Sequence, residues 1–348
     1  MNISFFLVIL RAIKKKMTKL KILLFFMLTM VSFAQNEIKI NAKLLENGKK
    51  IEVVEEITLK NTSTTVLTEI ALNDWNHAFS SKKSALASKF SDEFNRSFHL
   101  SKKADRGETQ IFEITNQFAN PLSFYRNKNQ VDILRVKLEN PLQIGETTTL
   151  KIKYQITLPS TRFTKYGYSE NKILLKNCFL TIAAFDTETQ SEENSDDLTS
   201  EISNYKINIQ HHNLFLTSDL DVVNHTNNTS QLTGNLRTNF FIALEKEISY
   251  EEFKNEKINV ITNLKTKDVP IYYKVLVIDK ITNYVAEKIG ASNQEKIMVS
   301  QEDYDREAFY GLNELPSFIS PFNDDFVFEL KFLKTYLNNY LAANLKIN

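Results

Sequence analysis

The chain has 348 residues, with 43 Lys plus Arg against 42 Asp plus Glu, one Cys and 25 Phe. That length supports one large domain or two of ordinary size. A net charge near +1 lacks the basic excess of a nucleic-acid binder, and one cysteine rules out a disulfide framework or a Cys-rich metal centre.

Residues 1 to 34 carry six basic side chains (Arg11, Lys14, Lys15, Lys16, Lys19 and Lys21) and no acidic one. Ile22 to Ala34 is an apolar run, too short to cross a bilayer comfortably, behind a basic segment that could start at Met17. This pattern predicts a signal peptide over 1–34, with export to the periplasm or cell envelope and a mature chain from Gln35. A retained membrane anchor is the alternative, so membrane contact is expected only through this segment. Its removal turns the net charge negative, which further disfavours nucleic acid.

From 35 to 255 the predicted elements are short strands. Leu150, Ile152, Tyr154, Ile156 and Leu158 alternate with polar residues, the period of a half-buried strand. Leu134, Val136 and Leu138 are its predicted hairpin partner across Pro141 and Gly145. Ile51, Val53, Ile57 and Leu59 form another strand, with Glu55 on the inward side. Further strands are predicted at 37–45, 65–72, 109–115, 172–183, 204–218 and 238–246. Together they point to an antiparallel β-sandwich or saddle. Leu86, Phe90, Phe94 and Phe98 recur every four residues and predict one helix over 81–98. Trp75 before it is a core anchor or a surface contact. The acidic run from Asp186 to Asp197 fits no EF-hand spacing and reads as a solvated loop. Asn61, Asn95, Asn227 and Asn228 start Asn-x-Ser/Thr sequons that matter only in a glycosylating host.

From 256 to 348 the pattern becomes mixed. A strand over 257–264 leads to a helix capped by Asp268, with Pro270 in its first turn and Gly290 as its stop. A short strand over 296–299 precedes a long helix over 326–345. Phe326, Leu330, Leu333, Leu337, Tyr340, Leu341 and Asn344 are its expected buried face. The fold class is therefore mainly β followed by α+β, the second part read as an incomplete, thermolysin-like α+β domain.

No Gly-x-Ser-x-Gly elbow, Walker loop or Rossmann fingerprint is present. Cys178 lies in an apolar run and is expected to be inert. No two of the five histidines stand four apart on a predicted helix, so no helical zinc pair forms. His211 and His212 are expected as a surface pair, facing opposite ways on a strand end.

Three tracts carry a family resemblance: Lys50 to Asn61, Leu138 to Glu146 before the 150–158 strand, and Leu72 to Asn76 with Phe90 to Phe94. On these, residues 36 to 250 resemble the N-terminal β-domain of aminopeptidase-N-like gluzincin metallopeptidases, with a likeness to Bacteroidetes-type members. In such enzymes a Gly-x-Met-Glu-Asn loop binds the substrate amino terminus, and a His-Glu-x-x-His helix supplies two zinc ligands and the general base. Here Gly311 to Leu315 keeps Gly311 and Glu314 of the loop. Phe328 to Phe332 keeps Glu329 at the general-base position and has Phe328 and Phe332 in place of both histidines. The family's third ligand, a Glu on a later helix, falls beyond Asn348. The resemblance thus implies a degenerate, catalytically silent homologue with no zinc cofactor, whose remaining partner is a peptide held by Gly311 and Glu314. The alternative is a non-enzymatic β-sandwich interaction module of the cell envelope.

Overall fold

The computed structural model describes residues 35–45, 48–92, 96–164, 166–185, 199–266, 268–306 and 324–344. The expected signal peptide, Phe94, the 186–197 loop, Gly311 and Glu314 lie outside the described residues.

The chain from Asn36 is mainly β, followed by an α+β layer. A seven-stranded sheet runs in the order β13 (Asp221–His225), β14 (Thr229–Arg237), β11 (Ser203–Gln210), β1 (Asn36–Leu44), β2 (Lys50–Lys60), β7 (Thr147–Thr157), β4 (Glu108–Asn116). A second sheet joins β10 (Thr181–Ile182), β3 (Leu67–Asn73), β6 (Gln130–Leu142) and β5 (Phe124–Asn127). A third joins β12 (Phe215–Ser218), β15 (Phe241–Glu245), β9 (Lys172–Lys176) and β8 (Gly167–Tyr168). All pairings among these strands are antiparallel except that of β1 with β11.

Period-two patterning explains the first core. Ile38, Ile40, Ala42 and Leu44 of β1 and Ile51, Val53, Ile57 and Leu59 of β2 all point inward. They meet Ile70, Leu134 and Val136 of the second sheet and Ile173, Leu175 and Ile242 of the third. Glu55 does face inward, fully buried, and accepts a hydrogen bond from the Tyr154 hydroxyl. Burial pushes its carboxyl up to about 8, against the lowering pull of the Tyr154 bond.

Several sequence expectations are corrected. The hairpin of 134–138 with 150–158 does not form: β6 pairs with β3 and β5, whereas β7 lies between β2 and β4. The turn between them crosses from one sheet to another. It is held by Asn61, whose carbonyl accepts from Gly145 N (2.8 Å) and whose side chain donates to Leu142 O (3.0 Å). The 172–183 and 204–218 runs each break in two. Asn177 (φ 53°) and Asn213 (φ 47°) take left-handed backbone that redirects the chain to another sheet. The helix expected over 81–98 starts at Ala85 rather than Ser81. After α1 (Trp75–Ala78) come α2 (Ala85–Asp92) and α3 (Arg96–His99). Leu86, Phe90 and Phe98 bury against Trp75, Phe79 and Phe163 of α4 (Thr161–Thr164), so Trp75 is a core anchor.

The last layer is a three-stranded sheet, β16 (Glu251–Lys254), β17 (Asn259–Thr262) and β18 (Lys296–Val299), with α5 (Ile271–Ile289), α6 (Gln301–Arg306) and α7 (Asp324–Asn344). β17 and β18 are parallel, joined through α5. Asp268 does not cap α5. It is left-handed (φ 54°), and the Pro270 carbonyl takes the first helical bonds, from Tyr273 N and Lys274 N. Gly290 ends the helix at φ 117°. Among the described residues, no helix is long and apolar enough to cross a membrane.

Candidate functional site

The long helix α7 contains Phe328, Glu329 and Phe332, the residues that the sequence resemblance singled out. Asp324 and Asp325 in its first turn complement the positive end of the helix dipole. The buried face is Phe328, Phe332, Thr335, Tyr336, Tyr340 and Asn344, which shares Tyr340 and Asn344 with the face expected from sequence but replaces its Phe326 and leucines. Phe326 is 43% exposed and Leu333 37%. Two apolar stripes compete on this helix, and the aromatic one is buried because its rings bury more area and contact one another. Centroids of successive rings from Phe328 to Tyr340 are 6.1, 5.5 and 5.6 Å apart. The ladder ends where the Tyr340 hydroxyl donates to Gly290 O at the end of α5. Val260, Ile278, Ile281 and Val299 pack against these rings from β17, α5 and β18.

Glu329 is turned away from that core and pairs with Lys280 of α5 at 2.7 Å. Lys280 is raised by this hydrogen bond and by the charge of Glu329. Next to the first turn of α7 is a cavity of about 260 Å³, lined among the described residues by Lys265, Thr266, Asp324, Val327, Phe328 and Lys331. Burial lowers the Lys331 ammonium, and Lys265 adds to the lowering while Asp305 opposes it. Its Nζ sits 5.1 Å from the centre of the Tyr304 ring.

Phe328 and Phe332, which the sequence resemblance sets against the two zinc-binding histidines, are 1% and 0% exposed. A ring without a lone pair cannot ligate, and the Glu329 carboxylate is committed to an ammonium. These residues do not fit a zinc ion. Among the described residues, no group of three or more His, Cys, Asp and Glu is arranged to hold a metal.

A polar seam that sequence reasoning missed lies where the third sheet meets the last layer. Asp303 of α6 accepts from the Tyr166 hydroxyl, from Lys176 at 2.8 Å and from Asn339 of α7 at 3.2 Å. Glu302 accepts from Lys172 and from Asn263 at 3.0 Å. Burial pushes the Glu302 carboxyl up, but the bonds from Lys172 and Asn263 outweigh it and hold the group below its usual range. Around this seam Tyr166, Leu174, Phe241, Tyr250, Ile261 and Met298 form an apolar cluster. The one available signal was the pair of lysines bracketing the apolar Ile173-Leu174-Leu175. A neighbouring cavity, lined by Trp75, Asn76, Tyr166, Lys176 and Cys178, is only about 20 Å³, room for one water at most. Burial pushes the Cys178 thiol well up, which leaves it unreactive.

The histidines also differ from expectation. His211 is buried rather than at the surface. Its Nε2 lies 2.9 Å from Ser230 Oγ, which is 2.8 Å from His225 Nδ1, and the two imidazoles stack at 5.7 Å. Burial, then the neighbouring His225 and His212, lower the His211 imidazole. His212 alone of the adjacent pair is exposed. His77 accepts from Thr109 N at 3.1 Å, beside an Asp74 that binds Arg126 (2.5 Å) and the Thr109 hydroxyl (2.7 Å). Burial lowers His77 as well.

No protein family and no curated protein matches the sequence. Among solved structures the chain is similar to an M1 zinc metallopeptidase from Deinococcus radiodurans, at 10% identity and a TM-score of 0.43, over 77% of this chain and 56% of that one. A mutant of that enzyme gives 11% identity and a TM-score of 0.45 over 77% and 56%. The mutant bound to a Tyr-Ser-Ala substrate gives 10% and 0.44 over the same shares. The likeness is remote, and the chain spans 56% of the length of these chains. At these TM-scores it carries no argument about catalysis or ligands.

Proposed function

We propose that this chain is an exported, metal-free homologue of aminopeptidase-N-like peptidases that holds peptides without cleaving them. The observation that carries the loss of catalysis is the burial of Phe328 and Phe332 in the α7 ring ladder, with Glu329 ion-paired to Lys280. A general base works on a zinc-bound water, and neither the ligands nor a free carboxylate is offered at these positions. Zinc analysis of the purified chain, with an aminoacyl-anilide hydrolysis assay, tests this: the expected result is sub-stoichiometric zinc and no hydrolysis. One zinc per chain with turnover would overturn it.

Peptide retention rests on the resemblance of Gly311 to Leu315 to the amino-terminus loop, in which Glu314 would pair with a terminal ammonium. Calorimetry with short peptides on Glu314→Gln checks that role. Unchanged affinity removes Glu314 from the site. The interaction-module reading is favoured by the closed seam, where Asp303 and Glu302 are tied to Tyr166, Lys176 and Lys172 and the adjoining cavity admits no peptide.

A further inference from the structure

The outward face of the seven-stranded sheet divides into two halves of different chemistry. At one end its charges are mutually satisfied: Lys39 pairs with Glu56 at 2.9 Å and Lys206 with Glu37 at 2.5 Å. At the other end lies an open basin of about 470 Å³, lined by Asn41, Lys43, Glu52, Phe112, Asn208 and Gln210 among others. Strand register sets these side chains side by side. Asn41 stands opposite Asn208 and Val54, and Lys43 opposite Gln210 and Glu52. Among the described residues, the side chains of Asn41, Lys43, Glu52, Asn208 and Gln210 have no hydrogen-bond or ion-pair partner. Lys43 and Glu52 face each other across the strands yet form no salt bridge.

Phe112 reaches this face through a backbone irregularity. The β4–β7 register shifts between Ile111 and Glu113, which leaves Phe112 as the extra residue of a bulge. Strict alternation would turn Phe112 and Glu113 to opposite faces. The bulge leaves both exposed, Phe112 by 56%, and returns Ile114 to the core. A bulge that presents a large apolar ring to water at the border of an unpartnered polar basin is a costly arrangement unless the ring is used.

The chemistry of the basin selects a ligand class. Lys43 and Lys153 balance Glu52 and Glu113, and Lys153 already binds Glu113 at 2.6 Å, so no net charge draws an anion or a cation. The amides of Asn41, Asn208 and Gln210 each present an acceptor oxygen and a two-hydrogen donor, which match groups that both donate and accept, such as adjacent hydroxyls. The negative face of the phenyl ring favours a flat surface of C–H bonds. From β11 to β4 the row crosses four strand spacings, about 19 Å, longer than one sugar ring.

We propose that this face binds a neutral oligosaccharide, with the Phe112 ring as stacking platform and the amide row of Asn41, Asn208 and Gln210 as hydroxyl readers. This goes beyond the peptidase-like reading and does not depend on it.

Affinity electrophoresis of the whole chain through gels containing hydroxyethyl cellulose, arabinoxylan, galactomannan or glycogen tests the proposal. At least one polymer should retard the protein. Phe112→Ala should weaken that retardation about tenfold or more, Phe112→Trp should keep it, and the double variant Asn41→Ala/Asn208→Ala should weaken it as well. Raising the salt should leave it unchanged, because the contacts are neutral. Phe112 is exposed, so the thermal midpoint should not move in its variants. Absence of retardation by all four polymers overturns the proposal. So does retardation that persists in both the Phe112→Ala and the double variants, or that disappears with added salt.

Discussion

The core beneath the seven-stranded sheet is filled by Ile, Leu and Val at alternate strand positions, whereas the core of the last layer is organised by four rings on one helix. The aliphatic core draws on three sheets and has the buried acid Glu55 beside its isoleucines. The aromatic core takes much of its burial from α7. The contrast shows two ways of filling a core, with branched aliphatic side chains on strands or with stacked rings along one helix. In the β core the buried Glu55 carboxyl accepts a hydrogen bond from the Tyr154 hydroxyl. In the helical core Phe328, Phe332, Tyr336 and Tyr340 are the packing itself.

The largest expected effect comes from removing a rung of the ladder. Phe332→Ala should cost about 3–5 kcal/mol, read as a loss of urea stability. A cost below about 1 kcal/mol would mean that Phe332 is not the packing element described. Next is the seam, where Lys176→Met removes the ammonium from which the buried Asp303 accepts at 2.8 Å. Breaking a buried pair of this kind should cost about 3 kcal/mol, and Lys176→Met/Asp303→Asn should recover part of it.

The third prediction concerns Glu55. Its carboxyl is raised in the folded chain to about 8, from an ordinary 4.5. Between those values the unfolded chain has released the proton and the folded chain has not. Stability therefore falls as pH rises through this window, by up to about 1.4 kcal/mol per pH unit. Glu55→Gln should flatten that slope in denaturant titrations at pH 5, 6, 7 and 8. A slope equal to that of the parent chain would place the titration elsewhere. The smallest effect is expected of Lys280→Ala, which breaks a pair whose lysine side chain is 70% exposed. It should leave the urea midpoint almost unchanged, and still less affected in high salt.

Much of the fold was legible because burial on one face writes a period into the chain. The alternation of Ile51 to Leu59 placed β2 and its inward Glu55, and Lys296–Val299 appears as a strand where the sequence puts it. Alternation tells which way a side chain points but not which sheet its strand joins. That is why the 134–158 hairpin failed and the turn at Gly145 crossed to a different sheet. β13 went unread because all five of its residues are exposed and it therefore has no period. On α7 both the leucine and the aromatic stripes have helical spacing, and only the neighbours on α5 and β18 decide between them. The seam was illegible for another reason: Tyr166 and Lys176 are far in the chain from Asp303 and Asn339 and meet them only once both layers exist.

The parallel pairing of β1 with β11, which puts Asn36 opposite Ser203, also governs the order of assembly. β1 is the first strand of the described chain, yet one of its edges stays open until the chain has reached β11. Until then it exposes unpaired amides and carbonyls beside a row of isoleucines, a surface prone to pairing with other chains. So distant a contact makes folding slow, and in refolding from urea the closure of this edge should be among the last events and the step most sensitive to protein concentration.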